Sequence, residues 1–269
     1  MLATAATLLF ASSFATAWSG PANTTTLHAS GWESGTVNPF SSCNVKSPSY
    51  ISASSGSPLC AGSRKLTAYF DESDYDGTRD DRGAEICVKD ASGSTNLVNM
   101  HSEGWQGFGL YVPSNGFPSD KATIIAQQFC PGGCSSWCGT LSIEDMGLYV
   151  DHRPACGDST HATVTSSLSR DVWHDIVIHF KASHAQNGLY QVWLDGSLMY
   201  SATGINVGFG DSWTIDDTIT NGFYFKNGMY AYDYDEYANA TRQLYFDNLS
   251  WLAADGGMSD GYNIVDPAC

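Results

Sequence analysis

Hydrophobic and polar residues alternate with a period of two along most of this chain, and helical periodicity is almost absent. Side chains two apart lie on one face of a strand, so such alternation predicts strands with one buried face. Clusters of Gly, Asn, Asp, Ser and Pro separate the runs. The clearest runs are KLTAYF, AEICVKD, GFGLYVP, ATIIAQQF, MGLYVDH, VWHDIVIHFK, GLYQVWLDG, NGFYFKNGMYAY and RQLYFDNLSWL.

One long segment predicts a pair of adjoining strands. In HDIVIHFKASHAQNGLYQVWLDG, alternating arms at His174–Phe180 and Tyr190–Leu194 predict a β-hairpin. The chain shows no linker and no internal repeat among its many short strands. Residues 18–269 are therefore expected to form one all-β domain, a β-jelly roll in which two antiparallel sheets pack together.

The N-terminal residues have the composition of a secretory signal. MLATAATLLFASSFATA is apolar, contains small residues and ends in an A-x-A cleavage pattern at Ala15–Ala17. No later run is long and apolar enough to span a bilayer. We therefore predict that residues 1–17 are a signal peptide and that the protein is secreted, monomeric and without a membrane partner.

The cysteines agree with an extracellular location. An even count after a signal peptide predicts disulfides, although eight cysteines allow 105 pairings and the sequence does not select one. A metal knuckle in CPGGCSSWC is an alternative for three of them. Three sequons, at Asn23, Asn239 and Asn248, are candidates for glycosylation. The cysteines are Cys43, Cys60, Cys87, Cys130, Cys134, Cys138, Cys156 and Cys269.

The charge of the chain narrows its possible partners. The formal net charge is −16, from 28 acidic and 12 basic residues. Nucleic acid is excluded as a partner, because phosphate binding needs a basic face. A polyanionic ligand would also be repelled at long range, so it would need a local basic pocket.

The segment GFYFKNGMYAYDYDEY combines aromatic rings with one cation. In a straight strand Tyr224, Lys226, Tyr230 and Tyr232 lie on one face, while Phe223 and its apolar neighbours lie on the other. Tyrosine rings stack on sugars and Lys pairs with carboxylates, so the first face suits a groove for an acidic sugar chain. Exposed tyrosines beside a solvated Lys are the alternative interpretation.

The same segment carries a family resemblance. YFKNGMY resembles the Y-F-K-A-G-x-Y strand of jelly-roll alginate lyases. Together with ATIIAQQF, WHDIVIHFK, GLYQVWLDG and LYFDNLSWL, it resembles more closely polysaccharide lyase family 20, the fungal glucuronan lyases. The resemblance implies a β-jelly roll that binds β-1,4-linked polyglucuronate. It also implies endo cleavage by β-elimination, which leaves a 4,5-unsaturated uronate.

The resemblance also suggests site residues. Tyr230 matches the catalytic Tyr of the motif, and Lys226 is a cation on the same face. Gln127 matches a Gln that hydrogen-bonds the substrate carboxylate, and Thr123 is expected on its face of the strand. The His expected two residues later is Phe129 here. Tyr224 and Tyr232 are predicted to bind the sugar chain.

Another residue must then supply an imidazole, or Tyr230 acts alone. His101 is the first candidate and His152 the second, while His174 and His179 lie in a predicted strand. Arg82 could pair with a uronate carboxylate. Its R-x-x-E spacing to Glu85 differs from the R-x-E of alginate lyases, and a surface pair with a neighbouring Asp is the alternative.

The sequence also suggests a structural calcium ion. Jelly-roll sugar modules often bind Ca²⁺ between an N-terminal acidic residue and an Asp near the last strand, and Glu33 and Asp247 fit that arrangement. The loop FDESDYDG lacks the downstream Glu of an EF-hand.

Other functions remain open at this stage. They are a lyase for alginate or another uronan, a non-catalytic sugar-binding module, and a jelly-roll hydrolase. A hydrolase needs two carboxylates that flank the scissile bond, for which Glu72, Asp74 and Asp76 share a parity.

Overall fold

A computed structural model describes residues 24–74, 82–87, 98–99, 102–131, 136–157, 159–208, 222–232, 241–254, 258 and 260–269. The predicted signal peptide and His101 lie outside the described residues. Within these ranges, no helix has the length and apolar character needed to cross a membrane.

The described residues form strands almost throughout. One 3-10 turn occupies Glu72–Asp74, and one short helix, α1, occupies Gly261–Val265. The strands are β1 (Thr24–Ser30), β2 (Ser41–Cys43), β3 (Tyr50–Ser55), β4 (Arg64–Asp71), β5 (Gly83–Cys87), β6 (Val98–Asn99), β7 (Glu103–Tyr111), β8 (Thr123–Cys130), β9 (Ser136–Glu144), β10 (Gly147–His152), β11 (Thr160–Thr165), β12 (Trp173–Lys181), β13 (Ser183–Leu194), β14 (Ser197–Val207), β15 (Gly222–Tyr230) and β16 (Thr241–Ala254).

These strands form two antiparallel sheets of eight strands each. The first sheet has the order β14-β13-β12-β7-β16-β4-β3, and β1 pairs with β16. The second has the order β11-β10-β9-β8-β15-β5-β2, and β6 pairs with β15. The predicted all-β jelly roll is therefore confirmed.

The core lies between the two sheets and follows the alternation of the sequence. On β15, Phe223, Phe225 and Met229 are at most 1% exposed and face the first sheet. Tyr224, Lys226 and Tyr230 of β15 face the opposite side, as predicted. The two sheets bury these apolar faces against each other, which is what drives the packing of a sandwich.

A polar network crosses this otherwise apolar interior. Gln128 Nε2 donates to Gln106 Oε1 of the first sheet at 2.8 Å. Gln106 Nε2 donates to Asn227 Oδ1 at 2.6 Å, and Trp251 Nε1 donates to the same oxygen at 2.9 Å. Because buried polar groups must be hydrogen-bonded, this network fixes β8 and β15 of one sheet relative to β7 and β16 of the other.

The predicted strands and hairpin are confirmed by the pairing. All nine runs form strands, and β12 pairs with β13 from Ile176 opposite Leu194 to Lys181 opposite Leu189. One side-chain direction was wrong. Thr123 is fully buried and accepts a hydrogen bond from Arg242 Nη1, so it faces the interior rather than the face of Gln127. A register shift between Ile124 and Ala126 breaks the simple alternation of β8.

Disulfides join cysteines that are distant in sequence as well as near neighbours. The pairs are Cys43–Cys87, Cys60–Cys269 and Cys130–Cys138, and Cys156 is also disulfide-bonded. The disulfide prediction is confirmed. A metal knuckle is excluded for Cys130 and Cys138, because their sulfurs are bonded to each other.

Candidate active site

The outer face of the second sheet carries a cavity of about 710 Å³, which we call the cleft. Strands from the middle of the sheet to its β11 edge contribute side chains to this common space. The cleft is lined by Arg82, Ile124, Gln127, Ser136, Trp137, Thr140, Glu144, Asp151, Ser159, His161, Tyr230 and Tyr232.

Four of the predicted site residues line the cleft: Arg82, Gln127, Tyr230 and Tyr232. Gln127 comes from β8, Tyr230 ends β15, and Arg82 directly precedes β5. Because Arg82 lies just before the strand, the alternation that places Ala84 in the core does not constrain it. The R-x-x-E spacing is therefore compatible with Arg82 and Glu85 serving the same face.

Glu85 lies at the base of this group and is 2% exposed. Its Oε1 accepts a short hydrogen bond from Gln127 Nε2. Its Oε2 accepts from Asn44 Nδ2 at 2.6 Å and from Lys226 Nζ at 3.2 Å. One buried carboxylate thus joins residues from the loop after β2 and from β8 and β15.

The structure requires a correction for Lys226. It shares the face of Tyr230, as the alternation predicts, but it is 5% exposed and does not line the cleft. Its ammonium forms an ion pair with Glu85 and lies 4.9 Å from the ring centroid of Phe129. Its position therefore favours a role as the counter-ion of Glu85 over that of a substrate ligand. Among the described residues that line the cleft, Arg82 and His161 are the basic ones.

The two predicted sugar-binding tyrosines have different positions. Tyr232 lines the cleft and donates from its hydroxyl to Glu144 Oε1 at 2.7 Å. Burial, together with this carboxylate, raises the pKa of the Tyr232 phenol far above its usual value. Tyr224 does not line the cleft; its ring packs against Phe129 with centroids 5.0 Å apart.

The opposite wall of the cleft comes from β9, β10 and β11. Glu144, Asp151 and His161 place their side-chain oxygens and nitrogen within 4.8 Å of one another. His161 Nδ1 lies 3.1 Å from Asp151 Oδ1, and its ring stacks on Tyr149. Burial raises the pKa of Asp151, while His161 opposes that shift. This wall is acidic, in contrast to the side that carries Arg82.

Sequence reasoning missed this wall. The alternation of MGLYVDH predicted β10 but gave Asp151 no role, and β9 and β11 were not predicted. The sequence pattern did not suggest His161 as a source of the imidazole, because the Ser- and Thr-rich segment around it carries no apolar alternation. The parity of Tyr149 and Asp151 is the signal that could have located this face.

Three further histidines, each a candidate from the sequence, have structural positions. His152 faces the interior, contacts the Tyr200 hydroxyl at 2.8 Å, and has a pKa lowered by burial. His174 lies between Asp195 and the Ser169 carbonyl, and His179 lies between Glu103 and Gln191. None of these three lines the cleft. His101 lies outside the described residues, so its role stays a prediction.

One hydrolase candidate, Glu72, does not reach the cleft. Glu72 is 3% exposed and its Oε1 lies 2.6 Å from Arg242 Nη2, in a buried ion pair between the sheets. Asp76 and the side chain of Asp74 lie outside the described part of the chain. The interpretation of Glu72 as a catalytic carboxylate is therefore wrong.

The predicted calcium ligands lie near each other, away from the cleft. Glu33 accepts hydrogen bonds from Ser63 N and Oγ and from Arg64 N. Asp247 is fully buried, and burial raises its pKa to about 6, with a further contribution from the charge of Glu33. No Lys, Arg or His of the described residues lies within ion-pair distance of Asp247. A buried carboxylate beside a second one fits the donor set that Ca²⁺ prefers.

Comparison with known proteins identifies the family. Residues 30–250 match the family model described as polysaccharide lyase. The chain belongs to the polysaccharide lyase family. No curated protein sequence matches it.

Several solved structures, two of them lyases, share the fold. An endo-β-1,4-glucuronan lyase from the fungus Trichoderma reesei superposes with a TM-score of 0.68 at 18% identity, over 90% of this chain and 99% of that one. A family 7 alginate lyase in complex with substrate gives 0.53 at 14%, over 72% and 80%. The cellulose-induced protein Cip1 gives 0.56 at 12%, over 83% and 96%. At these identities the likenesses show the jelly-roll fold alone.

Proposed function

We propose that this member of the polysaccharide lyase family is a secreted, endo-acting lyase that cleaves β-1,4-linked polyglucuronate by β-elimination. The observation that carries the proposal is the meeting of Arg82, Gln127 and Tyr230 in the cleft. These three side chains supply a cation, an amide and a phenol, which are the functional groups that the reaction needs at a uronate.

The chemistry of the substrate explains these requirements. The C5 proton of a uronate is carbon-bound and becomes acidic only when the neighbouring C6 carboxylate is neutralised. Removal of that proton leaves charge on the carboxylate. The electron pair then forms the C4–C5 double bond as the C4–O4 bond breaks, and the departing O4 takes up a proton.

Each of the three residues has a role in this scheme. Arg82 pairs with the C6 carboxylate, and Gln127 donates a hydrogen bond to it, so both stabilise the developing charge. Tyr230 transfers the protons as acid and base. The tyrosine hydroxyl is deprotonated to accept the C5 proton, and Arg82 is the cationic group of the cleft that favours this form.

A structural Ca²⁺ belongs to the same proposal. Glu33 and Asp247 would hold it, and the ion would neutralise the buried Asp247 carboxylate. It would stabilise the sandwich at a distance from the cleft, and no step of the reaction depends on it.

The decisive test compares substrates side by side. The protein is incubated with glucuronan, alginate and a neutral β-glucan, and ultraviolet absorbance reports the new C=C bond. We expect absorbance to rise fastest with glucuronan and not at all with the glucan. A faster rise with alginate would support the alginate-lyase alternative, and no rise with either uronan would exclude lyase activity on these substrates.

One observation favours a second candidate, hydrolysis. Glu144 and Asp151 are two carboxylates in one cleft, and retaining hydrolases use such a pair about 5 Å apart. The same experiment separates the two reactions, since a hydrolase releases reducing ends without absorbance. Membership of the polysaccharide lyase family favours elimination.

A further inference from the structure

We propose that Glu85 is a positioning residue that fixes the amide of Gln127, and that Lys226 serves as the counter-ion of Glu85. The inference rests on the proposed lyase function, because it assigns an orientation to a group of that site. It concerns a residue that touches no substrate and acts only through Gln127.

The chemistry of the contact determines the direction of the amide. An ionised carboxylate only accepts hydrogen bonds, so the atom of Gln127 that faces Glu85 Oε1 must be Nε2. The side chain of Gln127 makes no other hydrogen bond among the described residues. One N–H is therefore used by Glu85, while the second N–H remains for the cleft that Gln127 lines.

This orientation matters for the reaction. A substrate carboxylate is attracted by an N–H and repelled by a carbonyl oxygen. A glutamine that could rotate its amide freely would present either group. Glu85 removes that freedom, because the reversed amide would place two oxygens against each other in a buried place.

Lys226 and Asn44 hold Glu85 in turn. Lys226 Nζ lies 3.2 Å from Glu85 Oε2, and both side chains are at most 6% exposed. An isolated charge in such a place would be strongly destabilising, so each charge of the pair compensates for the burial of the other. Asn44 Nδ2 contacts the same oxygen at 2.6 Å and completes the set of donors.

The backbone brings Glu85 to this position. Gly228 of β15 lies directly opposite Glu85 of β5. An added Cβ at Gly228 would lie 2.7 Å from Glu85 Cα and 2.2 Å from the Ala84 oxygen. The absence of a side chain therefore allows the close approach of the two strands at the point where Glu85 turns toward Gln127.

The test uses variants that separate charge from position. In Glu85→Gln the shape is kept, but either orientation of Gln127 can be satisfied. We expect kcat on glucuronan to fall about 10- to 100-fold with KM changed less than about threefold, as for a misplaced catalytic group. Glu85→Gln/Lys226→Met removes both charges, so it should recover thermal stability without recovering kcat.

A matched control is another buried ion pair among the described residues, that of Glu72 with Arg242. Glu72→Gln removes a buried carboxylate that pairs with Arg242 outside the cleft. It should lower the melting temperature and leave kcat near the wild-type value at temperatures well below melting. If kcat of the double variant returns together with stability, Glu85 is only structural and the proposal is overturned.

A second readout does not require activity. In ¹⁵N-labelled protein, the side-chain NH₂ signals of Gln127 are assigned by their loss in Gln127→Ala. We expect the side-chain NH₂ protons of Gln127 to exchange slowly in the wild type. Their chemical shifts should change in Glu85→Gln but not in Glu72→Gln. Exchange as fast as that of exposed Gln186 would overturn the positioning role. A wild-type protein that is inactive on every uronan but shows the slow exchange would instead count against the lyase function alone.

Discussion

At the scale of single residues, Tyr230 is the group on which the proposed chemistry depends most. It is 9% exposed, lines the cleft and ends β15, so most of the side chain is buried, while the proposed reaction uses only its hydroxyl. One substitution separates the contribution of the ring from that of the hydroxyl.

Tyr230→Phe keeps the ring and removes the hydroxyl. We expect the rate of unsaturated product formation on glucuronan to fall at least about 1,000-fold, because no phenol remains to transfer protons. Ultraviolet absorbance measures the rate. The melting temperature should change by only a few degrees, and a folded variant with near wild-type rates would remove Tyr230 from the mechanism.

Sequence patterns identified some of these residues and misjudged others for physical reasons. The positions of Gln127 and Tyr230 follow from strand alternation, which indicates the face of a residue. Alternation does not indicate depth, so the ion pair that buries Lys226 under Phe129 was not visible. The partner of Lys226 is Glu85, 141 residues away along the chain, and only the pairing of β5 with β15 brings the two together.

At the scale of elements, β5 and β15 approach each other closely at Gly228, beside the candidate site. Gly228 has a φ of +132°, a conformation that L side chains rarely adopt, and β5 lies against it. Any side chain at this position meets backbone atoms, which cannot move aside as a flexible side chain can.

Gly228→Ala should therefore destabilise the protein by about 3 kcal/mol, from backbone strain and the clash together. Urea denaturation measures the change. Gly56→Ala is the matched control, because Gly56 has a φ of +85° but nothing within 4 Å of an added Cβ. An equal loss in both variants would show that the clash with β5 contributes nothing.

The elements themselves were predictable where apolar alternation is strong. The nine runs with this pattern are all strands, since each has one face in the core. β9, β11 and β14 are rich in Ser, Thr and Gly, and their pairing with stronger neighbours holds them in place. Part of the acidic wall of the cleft lies on two of these strands, β9 and β11. The sequence pattern therefore did not reveal this side of the candidate site.

At the scale of the whole molecule, the chain carries a net charge of −16, so the ionisation of a buried carboxylate affects the stability of the folded state. Asp247 has a pKa of about 6 in the folded chain, raised from 3.8 mainly by burial. The folded state therefore holds a proton that the unfolded state loses between these two values. This contribution to stability is present below pH 3.8 and is lost as the pH rises through about 6.

Without Ca²⁺, the loss is on the order of 3 kcal/mol near neutral pH. Asp247→Asn should remove it, so this variant should melt above the wild type at pH 8 in the presence of a chelator. Added Ca²⁺ should raise the wild-type melting temperature at pH 8, have little effect at pH 4, and leave the variant unchanged.

Exposed Asp171→Asn is the control for general charge effects, and it should respond to Ca²⁺ as the wild type does. If Ca²⁺ stabilises Asp247→Asn as much as the wild type, the ion does not bind at Glu33 and Asp247. If the chelator abolishes activity immediately and leaves the melting temperature unchanged, the ion is not purely structural.

The two walls of the cleft are attached to the sandwich in different ways. Gln127 and Tyr230 lie on central strands whose interior side chains join the network between the sheets, whereas Asp151 and His161 lie on the two strands nearest one edge. Substitutions on the acidic wall therefore need not displace the central strands that carry Gln127 and Tyr230, the groups of the proposed reaction. A change in the preferred polymer would then need no change in the groups that are proposed to transfer the protons.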